Sequence, residues 1–326
     1  MINDNRKKVM RLPQAIQRFV PDSSHISIGG FTINRNPMAA VYEIIRQKKR
    51  ELHLYAHSNG QGVDELVGGG TISRLEIAYG GSGRFAPTCI RFKKAVQEGR
   101  IDVEDYSNFQ MTLRFMAGAL GVPFLPTRSG MGSDILAKWG FSEETRSADP
   151  KLPDQKACVM DNPFGNWADT GKVVLVPAIL PDVTIIHAQK ASTDGTVRIS
   201  GLAFADVEQA KAAEHVIVTC EELVEPDDLR DNSDLNKIPP FCVDAVCHVP
   251  HGAYPTACYG YYDYDPVYLK EYAQHAREDG SFQAYLEKYI FGIADHDHFM
   301  ELLGPKRLAG IQADPRTGYA SNLDRR

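Results

Sequence analysis

The feature that most constrains this fold is a series of short runs of strand length that are rich in Val and Ile. Five of them lie in the second half of the chain, at residues 173–176, 183–186, 197–199, 216–219 and 243–249. Apolar runs of this kind predict strands that are covered on both faces. Helical patterns between the strands supply the covering layers. We therefore expect an α/β fold with an open, mostly parallel sheet that is flanked by helices.

The N-terminal half repeats the same order of strand, turn and helix. Strands are predicted at residues 26–28, 52–56, 75–79 and 101–104, and helices at 12–20, 87–98 and 111–120, with a further helix that begins at Pro37. Each strand ends in a glycine-rich or polar turn, where a chain reverses direction. The last 60 residues show helical spacing with aromatic anchors, which predicts a helical C-terminal tail.

Residues 140–171 interrupt this pattern, because they are polar, hold three prolines and show no clear period. We interpret them as an irregular insertion in one domain that spans residues 1–326. A seam between two lobes is the alternative.

Charge and cysteine content exclude several classes of function. The 36 Lys and Arg residues against 42 Asp and Glu give a net charge of −6, which argues against a general electrostatic grip on nucleic acid or an anionic membrane. The N-terminus lacks the apolar core of a signal peptide, and no apolar run reaches the roughly 20 residues of a membrane span. Six cysteines without a Cys-x-x-Cys pair fit a reducing compartment, so we expect a cytoplasmic protein.

Nucleotide and metal motifs are incomplete. Gly130-Met131-Gly132 lacks the third glycine of a dinucleotide fingerprint, because position 135 is Ile. The His and Cys residues between 242 and 258 match no zinc spacing. Residues 295–298, Asp-His-Asp-His, fit the start of a helix as well as a ligand cluster. The sequence therefore predicts no bound metal.

The most specific stretch is residues 22–37, in which a predicted strand runs into Gly29-Gly30-Phe31. Glycines without a Cβ let backbone N–H groups approach a ligand closely, and Phe31 supplies a flat apolar wall. Open α/β sheets bind small molecules at this carboxyl edge of their strands. A tight turn that packs against a helix is the alternative.

This stretch resembles the Gly-Gly-Phe signature of the class I CoA-transferases, and of their α subunits in particular. The resemblance continues in order along nearly the whole chain and is strongest to the glutaconate-type subunits. The further matching segments are residues 58–60, 104–108, 121–126, 130–133, 161–164, 186–189, 194–197, 220–222 and 243–246.

The resemblance implies an active site that is shared between two homologous halves. In that family a glutamate of the β half, in a Ser-Glu-Asn-Gly turn, attacks the acyl-CoA and forms covalent intermediates. The equivalent turn here, Ser58-Asn59-Gly60, has no glutamate. The resemblance therefore implies a homologous β partner, in an α2β2 or larger assembly. Coenzyme A would enter as part of the substrate, with no bound cofactor.

The resemblance also assigns candidate site residues. Asn108 aligns with a Gln that donates a side-chain amide to the reacting carbonyl oxygen, and a helix N-cap is the alternative for Asn108. Arg35 stands where the general signature has Gly, and its planar fork could bind a substrate carboxylate or face solvent. The candidate substrate contacts are Gly29, Gly30, Phe31, Arg35, Ser58, Asn59, Gly81 and Ser82.

Glu104 leaves the reaction type open. Ring-opening hydrolases of CoA thioesters resemble this chain around Glu104 and use a glutamate there as a base, but the transferases carry it too. Our first hypothesis is the α subunit of an enzyme that exchanges CoA between an acyl-CoA, glutaconyl-like and dicarboxylic, and a free carboxylate. The second keeps fold and partner but hydrolyses or decarboxylates the CoA ester with Glu104. The third is a non-catalytic subunit that binds CoA esters.

Overall fold

The computed structural model of the chain describes residues 8–166, 171–323 and 325. In that part the strands are β1 (His25–Ile28), β2 (Leu52–Asn59), β3 (Ile72–Gly80), β4 (Asp102–Asp105), β5 (Phe124–Thr127), β6 (Cys158–Asp161), β7 (Lys172–Pro177), β8 (Val183–Ser192), β9 (Val197–Arg198), β10 (His215–Val224), β11 (Asn236–Ile238) and β12 (Ala245–His248). The helices are α1 (Leu12–Phe19), α2 (Met38–Arg46), α3 (Gln61–Gly68), α4 (Ile90–Gln97), α5 (Asn108–Leu120), α6 (Glu143–Ala148), α7 (Asp206–Ala212), α8 (Pro266–His275), α9 (Asp279–Leu286), α10 (His296–Leu303) and α11 (Pro305–Ile311). Among these helices none is long and apolar enough to cross a bilayer.

A parallel sheet forms the centre of the molecule, in the strand order β12-β10-β8-β1-β2-β3-β4. Strand β8 shows why its residues are apolar on both sides. Val183 and Ile185 pack in one hydrophobic cluster with α1, α2 and α3, whereas Ile186 and Ala188 pack in a second cluster on the opposite face. Successive side chains of a strand point to opposite faces. The predicted parallel sheet between helical layers is confirmed.

Two of the predicted strands do not belong to this parallel array. The run at 173–176 forms β7, which lies between β5 and β6 in a separate antiparallel sheet, and β9 pairs antiparallel with β8. In β7 only the alternate residues Val174 and Val176 are buried. An apolar run thus identified the strand but not the direction or the sheet in which it pairs, because pairing partners lie far away in sequence.

Residues 140–166 are more regular than the sequence predicts, since they contain α6 and β6. The segment is fastened to the parallel sheet by ion pairs. Arg146 pairs with Glu104 of β4, Asp149 lies 2.8 Å from the His25 ring of β1, and Lys156 lies 2.6 Å from Asp105. The part of the predicted insertion at 167–170 lies outside the described residues.

The C-terminal tail is helical, as predicted, with α8 to α11 and one wide turn at Glu287–Phe291. Its predicted aromatic anchors are all buried: Tyr268, Tyr272, Phe282, Tyr285 and Tyr289. Residue Asp295 caps α10 by accepting a hydrogen bond from His298 N at 3.2 Å, so the acidic and histidine-rich stretch starts a helix.

Candidate functional site

The turns that follow β1, β2 and β3 meet at the carboxyl edge of the sheet. Thr32 N donates to Ser58 O at 2.9 Å, and Gly60 N donates back to Thr32 O at 3.1 Å. A Cβ on Gly60 would lie 2.5 Å from the Gly81 carbonyl oxygen and 2.6 Å from Ser82 Oγ. Contacts this close exclude a larger side chain at position 60. The structure therefore brings these predicted site segments into direct contact.

Asn59 is buried and its side-chain amide is used within the chain. Its Nδ2 donates to Gly29 O at 3.2 Å, and its Oδ1 accepts from Val63 N, also at 3.2 Å. Asn59 thus ties the turn after β1 to the first turn of α3.

The N–H groups of Gly29 and Gly30 are paired inside the chain. Gly29 N donates to Ile185 O and Gly30 N to Asp206 Oδ1, both at 2.9 Å. These groups face internal acceptors rather than a ligand, so the structure has the tightly packed turn that was the alternative. Gly30 also has φ of +85°, and a Cβ there would lie 2.6 Å from Arg35 O. Contact of either glycine with substrate stays a prediction.

Ser58 and Asn108 form the polar pair of the site. The Ser58 hydroxyl donates a short hydrogen bond to Asn108 Oδ1, which turns the amide nitrogen of Asn108 away from Ser58. Asn108 is exposed and is the first helical residue of α5. The predicted alternative of Asn108 as the N-cap is wrong. Ser107 is the cap, because Gln110 N donates to its hydroxyl at 3.1 Å and the Gln110 side chain returns a bond to Ser107 N.

His57 belongs to the same cluster and was missed by the sequence analysis. Its Nε2 lies 2.9 Å from Thr112 Oγ1, whose hydroxyl also donates to the Asn108 carbonyl oxygen at 3.1 Å. Since that hydroxyl proton is used, Nε2 of His57 is the donor and Nδ1 carries the lone pair. Burial lowers the pKa of His57, which keeps the ring neutral near pH 7. The only available signal was its place directly before the Ser58 turn.

Phe31 is half-buried and stacks on Phe204, with ring centroids 5.0 Å apart and an interplanar angle of 14°. Its ring also lies 5.8 Å from the His57 ring. These rings form an apolar wall beside the Ser58–Asn108 pair.

Arg35 points away from this cluster. Only 3% of its surface is exposed, and its Nη1 lies 2.6 Å from Asp206 Oδ2. The guanidinium also donates to the carbonyl oxygens of His187 at 2.8 Å and Leu202 at 3.1 Å. Neither a substrate-facing nor a solvent-facing arginine is what the structure has. The sequence carried no sign of Asp206, which lies far along the chain.

Glu104 is fully buried beneath the segment 140–166. Its carboxylate accepts from the Tyr106 hydroxyl at 2.6 Å and from Phe141 N at 3.1 Å, and it pairs with Arg146. Every one of these partners belongs to the chain itself. Glu104 therefore fastens the segment to β4 and does not face the cluster of turns.

Two groups of side chains come close enough to share a metal ion: His25, His53 and Asp149, and His187, Glu221 and Cys258. In the first group the His25 and His53 rings stack 4.3 Å apart at 11°, so one ion cannot lie in both ring planes. In the second group both ring nitrogens of His187 are hydrogen-bonded within the chain, and burial raises the pKa of the Cys258 thiol well above its usual range. Neither group fits a metal.

Comparison with known proteins gives a consistent family. The sequence model of the coenzyme A transferase family matches residues 9–248. One of the glutaconate CoA-transferase subunits of Acidaminococcus fermentans is 41% identical over 312 residues, which cover 96% of this chain and 97% of that protein. The crystal structure of glutaconate coenzyme A-transferase from the same organism superposes with a TM-score of 0.92, covering 97% of this chain and 98% of that one.

More distant relatives cover most of the chain as well. One of the 3-oxoadipate CoA-transferase subunits of Pseudomonas knackmussii is 34% identical over 90% of this chain and 96% of its own length. A variant of the decarboxylase AibA/AibB is 31% identical, with a TM-score of 0.67 over 86% of this chain and 99% of that one.

Proposed function

This chain belongs to the coenzyme A transferase family, and from that membership and the site geometry we propose that it is the α-type subunit of a hetero-oligomeric CoA-transferase. The enzyme exchanges CoA between an acyl-CoA and a free carboxylate. Two relatives that match most of the chain are each one named subunit of such a transferase, which supports a homologous partner subunit in an α2β2 or larger assembly.

The observation that carries the proposal is the Ser58–Asn108 pair. Because Ser58 donates to Asn108 Oδ1, the amide nitrogen of Asn108 keeps its hydrogens for another acceptor. When a carboxylate attacks a thioester, negative charge builds on the carbonyl oxygen. A preorganised amide donor stabilises that charge, and the loss of one such donor lowers kcat by about 10²–10³.

The attacking carboxylate comes from the partner subunit. The turns at 29–34, 58–60, 80–83 and 106–108 contain no Asp or Glu. The nearest carboxylates in sequence, Glu104 and Asp105, are paired with Arg146 and Lys156. A half-site with an amide donor and an apolar wall but no nucleophile needs a second half that supplies it.

The acyl group we propose is dicarboxylic, because the relatives act, by name, on glutaconate and 3-oxoadipate. Coenzyme A enters as part of the substrate, and the reaction needs no further cofactor. We place the enzyme in the cytoplasm, in keeping with its six free cysteines.

A decarboxylase or hydrolase of CoA esters is the second candidate, supported by the 31% identity to AibA/AibB. In this version Glu104 would act as the base. A base must lie within hydrogen-bond reach of the proton that it removes. Glu104 is instead covered by Phe141 and Arg146, so its placement favours the transferase.

The test uses this chain co-purified with its partner subunit. CoA exchange is measured with a dicarboxylic acyl-CoA, with and without a free carboxylate acceptor. We expect activity that depends on the acceptor, and a fall in kcat of about 10²–10³ in Asn108→Ala. Gln283→Ala, an exposed amide on α9, is the matched control and keeps full activity. Turnover without an acceptor, or unchanged kcat in Asn108→Ala, contradicts the proposal.

A further inference from the structure

Asp206, the first residue of α7, is fully buried against the Gly29-Gly30-Phe31 turn. Its Oδ1 accepts the Gly30 N–H at 2.9 Å, and a Cβ on Gly29 would lie only 3.0 Å from the same oxygen. Its Oδ2 lies 2.6 Å from Arg35 Nη1. One carboxylate thus contacts the turn at its start and, through Arg35, just beyond its end.

Arg35 joins three parts of the chain that are distant in sequence. Besides Asp206, its guanidinium binds the carbonyl oxygens of His187 in β8 and of Leu202 in the loop before α7. Its backbone has φ of +51°, in the left-handed region that an arginine rarely adopts. Strain of this kind persists only where the surroundings hold the residue in place.

The position of this ion pair is passed to the reacting groups by short contacts. Phe31 follows Gly30 directly and stacks on Phe204, which belongs to the loop that Arg35 binds. Thr32 N then donates to Ser58 O, and the Ser58 hydroxyl donates to Asn108. A displaced turn would therefore displace Ser58 and the amide of Asn108.

We propose that Asp206 and Arg35 are positioning residues for catalysis, an inference that rests on the proposed transferase function. They touch no substrate. Their ion pair holds the glycine turn in the place from which Ser58 orients the Asn108 amide. Misplacement of reacting groups by about 1 Å can cost about a hundredfold in rate. Loss of the pair is therefore expected to lower kcat and to leave the KM for acyl-CoA nearly unchanged.

The test compares two buried ion pairs in the holoenzyme. The control is Asp265–Arg307, which has the same 2.6 Å separation, a buried carboxylate, and a place in the C-terminal tail. Asp206→Asn retains an acceptor for Gly30 N but removes the charge that faces Arg35, and Asp206→Ala removes both. Arg35→Lys keeps the charge without the planar fork. The measurements are thermal midpoint, kcat, KM, and amide hydrogen exchange of residues 26–36 and 54–62.

We expect Asp206→Ala and Asp265→Ala to lower the thermal midpoint alike, while only Asp206→Ala lowers kcat, by about a hundredfold, at a temperature where both are folded. Asp206→Asn and Arg35→Lys fall in between. Faster exchange is expected in both peptides only in the Asp206 and Arg35 variants. Equal kcat losses in Asp206→Ala and Asp265→Ala, or unchanged exchange at 54–62, overturn the proposal. A wild-type holoenzyme without CoA exchange refutes the transferase function, and the exchange data still decide the positioning role.

Discussion

Replacing Glu65 by Gln should remove a large part of the pH dependence of stability. Glu65 lies in α3, one turn after the Ser58 segment, and is fully buried against the C-terminal tail. Its carboxyl group accepts from Gln61 at 2.7 Å, Tyr285 at 3.0 Å and Tyr42 at 3.1 Å. Burial raises the pKa of Glu65 from 4.5 to about 8, against the opposing effect of these three donors.

The sign follows from the two pKa values. Between pH 4.5 and about 8 the folded protein keeps a proton on Glu65 that the unfolded chain has already released. The free energy of unfolding therefore decreases as pH rises, by about 1.4 kcal/mol per pH unit. The stabilisation is fully present below pH 4.5 and is lost as pH rises through about 8. Across the whole window the loss amounts to roughly 5 kcal/mol.

Urea unfolding from about pH 5 to about pH 9 measures this effect, with the wild-type protein and Glu65→Gln compared at each pH. The wild type should lose stability relative to Glu65→Gln as pH rises, because the amide does not titrate. Glu287→Gln, an exposed glutamate in the same tail, should follow the wild type throughout. Parallel profiles for wild type and Glu65→Gln would refute the reasoning.

Three further outcomes are expected. Glu104→Gln should lower the thermal midpoint, since it breaks a buried ion pair at a cost of about 3–5 kcal/mol, but should keep CoA exchange; lost turnover with an unchanged midpoint would make Glu104 a base after all. Gly30→Ala should reduce the yield of folded protein, because its Cβ would meet backbone oxygens at 2.6 Å, whereas Gly70→Ala, with φ of +72° in open space, should cost only about 1–2 kcal/mol by chemical denaturation. Iodoacetamide followed by peptide mass spectrometry should label the exposed Cys158 in the folded protein and spare the buried Cys258; equal labelling would contradict that burial.

Local sequence signals determined the layered architecture and the place of the candidate site. The Val/Ile-rich runs identified β8 and β10, because a strand buried on both faces must be apolar at successive positions. Glycine and polar turns after the strands marked residues 58–60 and 81–82. Parallel strands carry their carboxyl ends to one edge, so the meeting of these turns followed from their positions alone.

Only the tertiary structure decided which of the candidate residues face the cluster. Arg35 and Glu104 carry charges that a sequence cannot assign to partners, and the structure pairs them with Asp206 and Arg146. His57 joined the cluster for the same reason, through Thr112 on a different element. Apolar periodicity and turn composition are properties of neighbouring residues, whereas a buried charge must be paired wherever the fold brings a partner within reach. The chain pattern therefore located the edge, and long-range packing selected the residues that face it.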